Sequence, residues 1–274
     1  MENLLELLKA LILGIIQGVT EWLPVSSTGH MLLFNTFWPM SFSADFTDLF
    51  VNFIQVGSVL AVILIFIKRL YPFGSTKEHR DNTFILWFKI IIASVPAGIL
   101  GILFKDLIEA KFRTPIIIAS ALIIYGFLFI LIERQDKIPS VRKLTEISYK
   151  QALLIGCFQV LSLIPGTSRS GATIVGALFI GLSRTVAAEF SFMMSIPVML
   201  GAGAISIVKA DVALGMMEIS VLAVGFISAF VVSLFVMKAL MNFVRKHKFT
   251  PFAYYRIVLG LVILALLSFQ ILPV

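Results

Sequence analysis

Apolar residues run through this chain in long uninterrupted blocks, with neither the alternation of barrel strands nor the one-sided stripe of soluble helices. Blocks near 49–67, 84–104, 115–132, 186–208, 219–237 and 252–272 are each close to the roughly 20 apolar residues that cross a bilayer as a helix. Lipid offers the backbone no hydrogen bonds, so such blocks are expected to form an all-α integral membrane fold with about six transmembrane helices in one polytopic domain, 1–274. Two further apolar segments, 11–19 and 152–164, are cut short by a proline and a Ser/Thr/Gly cluster. They are too short to cross and are expected to be re-entrant helix hairpins.

Composition agrees with the pattern: 59% of the 274 residues are hydrophobic and 14% are charged. The mean hydropathy is +1.02. A net charge of +7 would suggest a polyanion partner in a soluble protein. Here the basic residues gather in three loops: Lys68, Arg69, Lys77, Arg80 and Lys89; Arg134, Lys137, Arg142, Lys143 and Lys150; Lys238, Arg245, Lys246, Lys248 and Arg256. They report topology and not nucleic acid. By the positive-inside rule the three loops are cytoplasmic and both termini lie outside, with Lys9, Lys105, Lys111, Arg113 and Lys209 as the sparser bases of the outer side. The single cysteine, Cys157, excludes an intramolecular disulfide. Glu2 and Glu6 stand where a cleaved leader would carry basic residues, so Met1 is expected to be the mature start.

The chain repeats itself. Ala10, Leu11, Gly14 and Gln17 recur as Ala152, Leu153, Gly156 and Gln159, each 142 positions on. The cluster from Pro24 to Gly29 answers to the one from Pro165 to Gly171, and Thr114-Pro115 to Thr250-Pro251. Repeat one is read as 1–135, a hairpin over 1–40 and then three spans; repeat two as 148–274, a hairpin over 150–183 and then three spans. An odd number of spans per half implies an inverted-topology repeat, with the two hairpin tips meeting near the midplane around a polar cavity.

Each tip is followed by a short helix, expected to begin near Thr28 and Ala172, whose free N–H groups and positive dipole end suit a phosphate. Ser26, Ser27, Thr28, Thr167, Ser168, Ser170 and Thr173 can add donors, or serve only as caps; Gly166 and Gly171 permit close backbone approach. Arg169, on a tip within the membrane, suits a phosphate or a structural ion pair with Glu21. Glu21 lies one turn after Gln17, and together they suit a hard divalent cation or an oriented water, Glu21 alone being otherwise a solvated charge. His30, three residues after Ser27, is a general acid or base if it reaches that hydroxyl, and a packing residue if not. Glu189, Asp45 and Asp48 are read as interfacial or solvated.

The run Gln17-Gly18-Val19-Thr20-Glu21-Trp22-Leu23-Pro24-Val25-Ser26-Ser27-Thr28-Gly29-His30, with Pro165-Gly166-Thr167-Ser168-Arg169-Ser170-Gly171-Ala172-Thr173, resembles the integral-membrane undecaprenyl-diphosphate phosphatases of the bacitracin-resistance type. The resemblance covers essentially the whole chain. It implies a bacterial plasma-membrane enzyme that removes the terminal phosphate of a long-chain prenyl diphosphate, recycling a cell-wall lipid carrier with the help of a divalent cation, Mg2+ or Ca2+. It implicates Glu21, Ser27, His30, Ser168, Arg169 and Thr173. Other members carry glutamate where this chain has Gln17, which leaves one carboxylate on that face and makes Gln17 an orienting amide. Expected roles are Ser27 as nucleophile, or water in its place; Glu21 as cation ligand or activator; His30 as proton shuttle; and Arg169 as phosphate ligand, in a cavity open to the outer face. The rival function is a transporter or flippase of a lipid phosphate or small anion, since midplane tips also build transport sites. The oligomeric state is left open, a homodimer among the options.

Overall fold

The structure, a computed structural model, describes residues 2–73, 76–135, 137–212 and 214–272; the side chains of Lys105, Asp106 and Glu109 fall outside the description. The described residues form ten α-helices in the order α1 Glu2–Thr20, α2 Ser27–Phe37, α3 Ala44–Leu70, α4 Lys77–Phe112, α5 Pro115–Arg134, α6 Tyr149–Val160, α7 Arg169–Phe179, α8 Arg184–Lys209, α9 Met216–Val244 and α10 Thr250–Ser268. Among the described residues there is no strand, only one isolated bridge between Val141 and Leu182. The all-helical membrane fold expected from the apolar blocks is what the chain adopts.

Among the described residues seven helices are long and apolar enough to cross a membrane: α1, α3, α4 as far as Phe104, α5, α8, α9 and α10. Six coincide with the blocks read from the sequence. The seventh, α1, differs from the expected short segment at 11–19, because the helix runs back to Glu2 and reaches 19 residues. Lys9 donates to Glu6 at 2.7 Å and to the Pro39 carbonyl at 2.6 Å, which lets a charged stretch continue as buried helix. By contrast α2, α6 and α7, of 11, 12 and 11 residues, are each about 16–18 Å long and fall well short of the ~30 Å hydrocarbon.

Close backbone packing places the short helices. A Cβ added at Gly14 of α1 would stand 1.9 Å from the Ser228 hydroxyl of α9, and one at Gly156 of α6 would stand 2.3 Å from the Ala93 carbonyl of α4. Two glycines 142 positions apart thus seat α1 on α9 and α6 on α4, the small-residue packing that membrane helices use. Trp22 is wholly buried, edge-on to Phe192 of α8 with ring centroids 5.4 Å apart, and anchors the chain just beyond α1.

Nine of the fifteen bases assigned to loops lie in helices: Lys68, Arg69, Lys77, Arg80, Arg134 and Lys150 in end turns, and three further in. Of those three, Lys238 is on α9, Lys89 is buried within α4, and Arg256 is wholly buried within α10. Sequence proximity to a basic loop misplaced them, because a helix continues through the basic stretch in each case. Asp45 and Asp48 also belong to the first turns of α3, where both are exposed, Asp48 facing Arg113 at 3.6 Å. Glu189 is buried and ion-paired with Arg69.

Candidate active site

Both tips are built on the same local device. Ser26 caps α2, its hydroxyl accepting from Gly29 N–H at 3.4 Å, and Ser168 caps α7, accepting from Gly171 N–H at 3.2 Å. Both caps hold a left-handed backbone, φ 73° at Ser26 and φ 70° at Ser168, a conformation that costs a non-glycine residue on the order of 1–3 kcal/mol. The helices that follow start at Ser27 and Arg169, slightly earlier than expected, and each is 11 residues long.

Four of the expected residues converge at one carboxylate. Glu21, 7% exposed, accepts from Arg169 Nη2 on Oε1 at 3.0 Å, and on Oε2 from Gln17 Nε2 at 3.1 Å and the Ser27 hydroxyl at 3.2 Å. Arg169 also donates through Nη1 to the Ser191 carbonyl at 2.8 Å, and its guanidinium lies 5.6 Å from the Trp22 ring centroid. An ion pair this deep is stable only with its remaining valences met, and the Ser27 hydroxyl, the Gln17 amide and the Ser191 carbonyl meet most of them. Two do not find partners: Arg169 Nε and Gln17 Oε1 are buried without a hydrogen bond. Buried orphans at a polar site mark where a ligand's atoms belong.

A cavity of about 410 Å3 lies beside this cluster, with Gln17, Ser27, Thr28 and Pro165 in its wall together with the exposed Asp48 and Arg113. Glu21 and Arg169 stand behind that wall. The hydroxyl of Ser27 therefore sits between the open space and the carboxylate that can take its proton.

The other expected residues are placed differently. Ser170 and Thr173 are wholly buried, Ser170 donating to the Glu21 carbonyl at 3.2 Å and Thr173 lying 2.6 Å from the Ser191 hydroxyl. Their hydroxyls brace the tips rather than face the cavity. Thr167 is equally buried, and Ser168 spends its hydroxyl on the cap and on Ser170 at 3.1 Å. Gly166 has φ 92°, and a Cβ there would stand 2.5 Å from the Ile118 carbonyl, so this turn tolerates no side chain. His30 Nδ1 lies 2.7 Å from the Ser26 carbonyl, which only accepts, so Nδ1 carries the proton and Nε2 accepts from the Tyr255 hydroxyl at 2.7 Å. Both ring nitrogens are thus spent on Ser26 and Tyr255, not on Ser27.

Arg256 is the residue that sequence reasoning missed. Its guanidinium donates to the Pro24 carbonyl at 3.0 Å and to the Gly166 and Thr167 carbonyls at 3.1 and 2.8 Å, with longer bonds to Ala121 and Leu122. One wholly buried cation thereby ties the first tip to the second. Its signal in the sequence was its position, six residues beyond Thr250-Pro251 in a run that is otherwise apolar.

Seven membrane-length helices around two broken-helix tips, which meet at a buried carboxylate, hydroxyl and guanidinium, define a multi-pass membrane protein with a polar site inside its bundle. Comparison with known proteins narrows the class. The family described as bacitracin resistance protein BacA matches residues 10–262, and the chain belongs to that family. It is 51% identical to undecaprenyl-diphosphatase 1 of Clostridioides difficile strain 630 over 265 residues, which cover 96% of this chain and 97% of that protein. It is 49% identical to an undecaprenyl-diphosphatase of Enterococcus faecalis, with 96% and 97% covered, and 47% identical to one of Acetivibrio thermocellus, with 95% and 97% covered.

Proposed function

We infer that this chain is a membrane phosphatase that hydrolyses undecaprenyl diphosphate to undecaprenyl phosphate and inorganic phosphate, with the Ser27–Glu21–Arg169 cluster as its reaction centre. The single observation that carries the reading is the hydrogen bond from the Ser27 hydroxyl to Glu21 Oε2 at the wall of the cavity. It pairs a nucleophile with a base, in a chain of near-full-length similarity to undecaprenyl-diphosphatases.

The terminal phosphoryl group of the substrate enters the cavity with the prenyl tail left in lipid. The start of α2 stands at that space, since Ser27 and Thr28 line it, and a helix N-terminus favours an anion. Ser27 Oγ attacks the terminal phosphorus while Glu21 takes its proton; the bond to the bridging oxygen breaks and the prenyl monophosphate leaves. Water then releases inorganic phosphate from Ser27. Arg169 aims Glu21 through their ion pair, and its unpaired Nε is left as a donor for phosphoryl oxygen. His30 acts here as a positioning residue, its ring bridging the Ser26 carbonyl and the Tyr255 hydroxyl.

The oxygen set beside the cavity fits a divalent cation. Gln17 Oε1 is an orphaned acceptor, and Glu21 Oε2 and Ser27 Oγ are hard donors of the kind Mg2+ or Ca2+ takes. Among the described residues no three His, Cys, Asp or Glu side chains gather, so water and phosphate oxygens would complete the shell. Such an ion supplies charge neutralisation at the phosphoryl group.

The inverted repeat and the re-entrant character of the two hairpins remain part of this reading. They are supported by the equal lengths of α2 and α7, the matching caps, and the paired packing of α1 on α9 and α6 on α4. The basic ends of α3 and α5 argue for a cytoplasmic location of that side, which supports an outer-face position in the bacterial plasma membrane for the part of the cavity lined by Asp48 and Arg113.

Purified protein in detergent, given a long-chain prenyl diphosphate, is expected to release inorganic phosphate, with EDTA lowering the rate. Movement of the lipid across a bilayer with no phosphate released would replace this reading with a transporter.

A further inference from the structure

A second cavity, of about 550 Å3, lies at the opposite ends of α3 and α4 from the candidate active site. Arg69 in its wall and Asp48 in the wall of the first cavity are about 30 Å apart along α3. The wall carries Arg69, Lys89, Arg142, Lys143 and Arg245 against one carboxylate, Glu189, and Glu189 is already ion-paired with Arg69. His79 also faces the space, but its Nε2 lies 3.2 Å from the Tyr71 carbonyl. Glu146 offsets Arg142 and Lys143 in part, accepting from their backbone N–H groups at 2.8 and 3.1 Å. The surplus of positive charge at the cavity therefore survives its neighbours.

Lys89 decides what that surplus is for. Its residue is 5% exposed, its ammonium donates to the Thr145 carbonyl at 3.2 Å and lies 5.9 Å from the Tyr149 ring centroid. Among the described residues no carboxylate lies within ion-pair distance of it. A buried ammonium without a counter-ion is unfavourable unless an anion completes it. Ile85, on the same helix face of α4, both lines the cavity and is 41% exposed, and Phe88 nearby is 64% exposed. One rim of the cavity thus opens onto a lipid-facing surface.

We propose that this cavity binds the phosphate group of a lipid in the adjacent leaflet, the headgroup held by Lys89, Arg142, Lys143 and Arg245 and the chain lying along the apolar face of α4. The cations give charge-assisted hydrogen bonds to a phosphomonoester, which a neutral zwitterionic headgroup matches poorly. This site is independent of the hydrolytic reading, since it shares no residue with the Ser27 cluster.

The test uses full-length protein in phosphatidylcholine nanodiscs doped with phosphatidic acid, with retained lipid measured by native mass spectrometry. All proteins carry Arg169→Ala to silence the first site. The parent is expected to retain phosphatidic acid, and Arg142→Ala/Lys143→Ala/Arg245→Ala to lose about tenfold of that retention. With Arg169 intact, the triple variant is expected to keep phosphate release within about twofold of wild type, so a failure here leaves the hydrolytic reading standing. Lys89→Gln is expected to lose lipid without a fall in melting temperature; a fall with lipid retention unchanged would make Lys89 structural and overturn the proposal. Equal retention by parent and triple variant would also overturn it. Displacement of phosphatidic acid by millimolar inorganic phosphate would assign the cavity to free phosphate and reject the lipid.

Discussion

The two tips share a backbone and divide the chemistry. Ser26 and Ser168 occupy matching positions, cap matching helices and hold nearly the same left-handed φ. The first residue of the helix is Ser27 in one tip and Arg169 in the other. Gln17 reaches Glu21 and the cavity, whereas Gln159 is wholly buried with neither amide atom bonded, and Leu163 stands where Glu21 does in the first half. In the proposed reaction one tip therefore supplies nucleophile and base, the other a cation. Two matching tips thus carry different residues at two of these positions, Ser27 against Arg169 and Glu21 against Leu163.

Breaking the cation side is expected to have the largest effect. Arg169→Ala strands Glu21 as a buried charge, and phosphate release should fall by about 10^3-fold or more, with Arg169→Lys recovering little because an ammonium does not span Ser191 and Glu21 together. A steady-state assay on folded variants checks this; an Arg169→Ala enzyme within tenfold of wild type would show that the second tip is only scaffolding.

Arg256→Met removes the tie between the tips and leaves their carbonyls unsatisfied. It should cost about 3 kcal/mol or more of stability, read as a lowered melting temperature in detergent. If the melting temperature held, the tips would be fixed by their own turns and not by this guanidinium.

Gln17→Glu sharpens the asymmetry by adding a second carboxylate to the first tip. Half-saturation by Mg2+ or Ca2+ is expected to drop by about tenfold, with Gln17 Oε1 already free to turn toward an ion. Cation titration of phosphate release measures it, and an unchanged midpoint would place the ion elsewhere. The smallest effect belongs to the caps: Ser168→Ala should cost about 1 kcal/mol through the lost cap plus the left-handed strain, while Ser168→Gly should be nearly neutral because glycine accepts that φ. Chemical denaturation separates the two.

The sequence carried the spans because an apolar block of the right length has few alternatives in lipid, and it carried the tips because two matched Ser/Thr/Gly clusters interrupt such blocks. Gln17, Glu21, Ser27 and Arg169 were legible for the same reason, as polar groups where polarity is costly. Three features were not. Arg256 hid beside a basic loop, since its burial depends on carbonyls from three distant segments. The start of α1 at Glu2 depended on the local Glu6–Lys9 pair, which makes two charges compatible with burial. His30 looked like a partner for Ser27 by spacing, and only the approach of α10 with Tyr255 turns it elsewhere.

A double-mutant comparison tests the shared site most directly. Phosphate release from a long-chain prenyl diphosphate would be measured for Glu21→Gln, Arg169→Ala and the two combined, with each variant's fold verified by its melting transition. If the pair acts as one unit, the combined variant is no worse than the weaker single, near the same ~10^3-fold loss. Losses that multiply toward about 10^6-fold would mean that Glu21 and Arg169 act separately, and that the two tips do not form a single site.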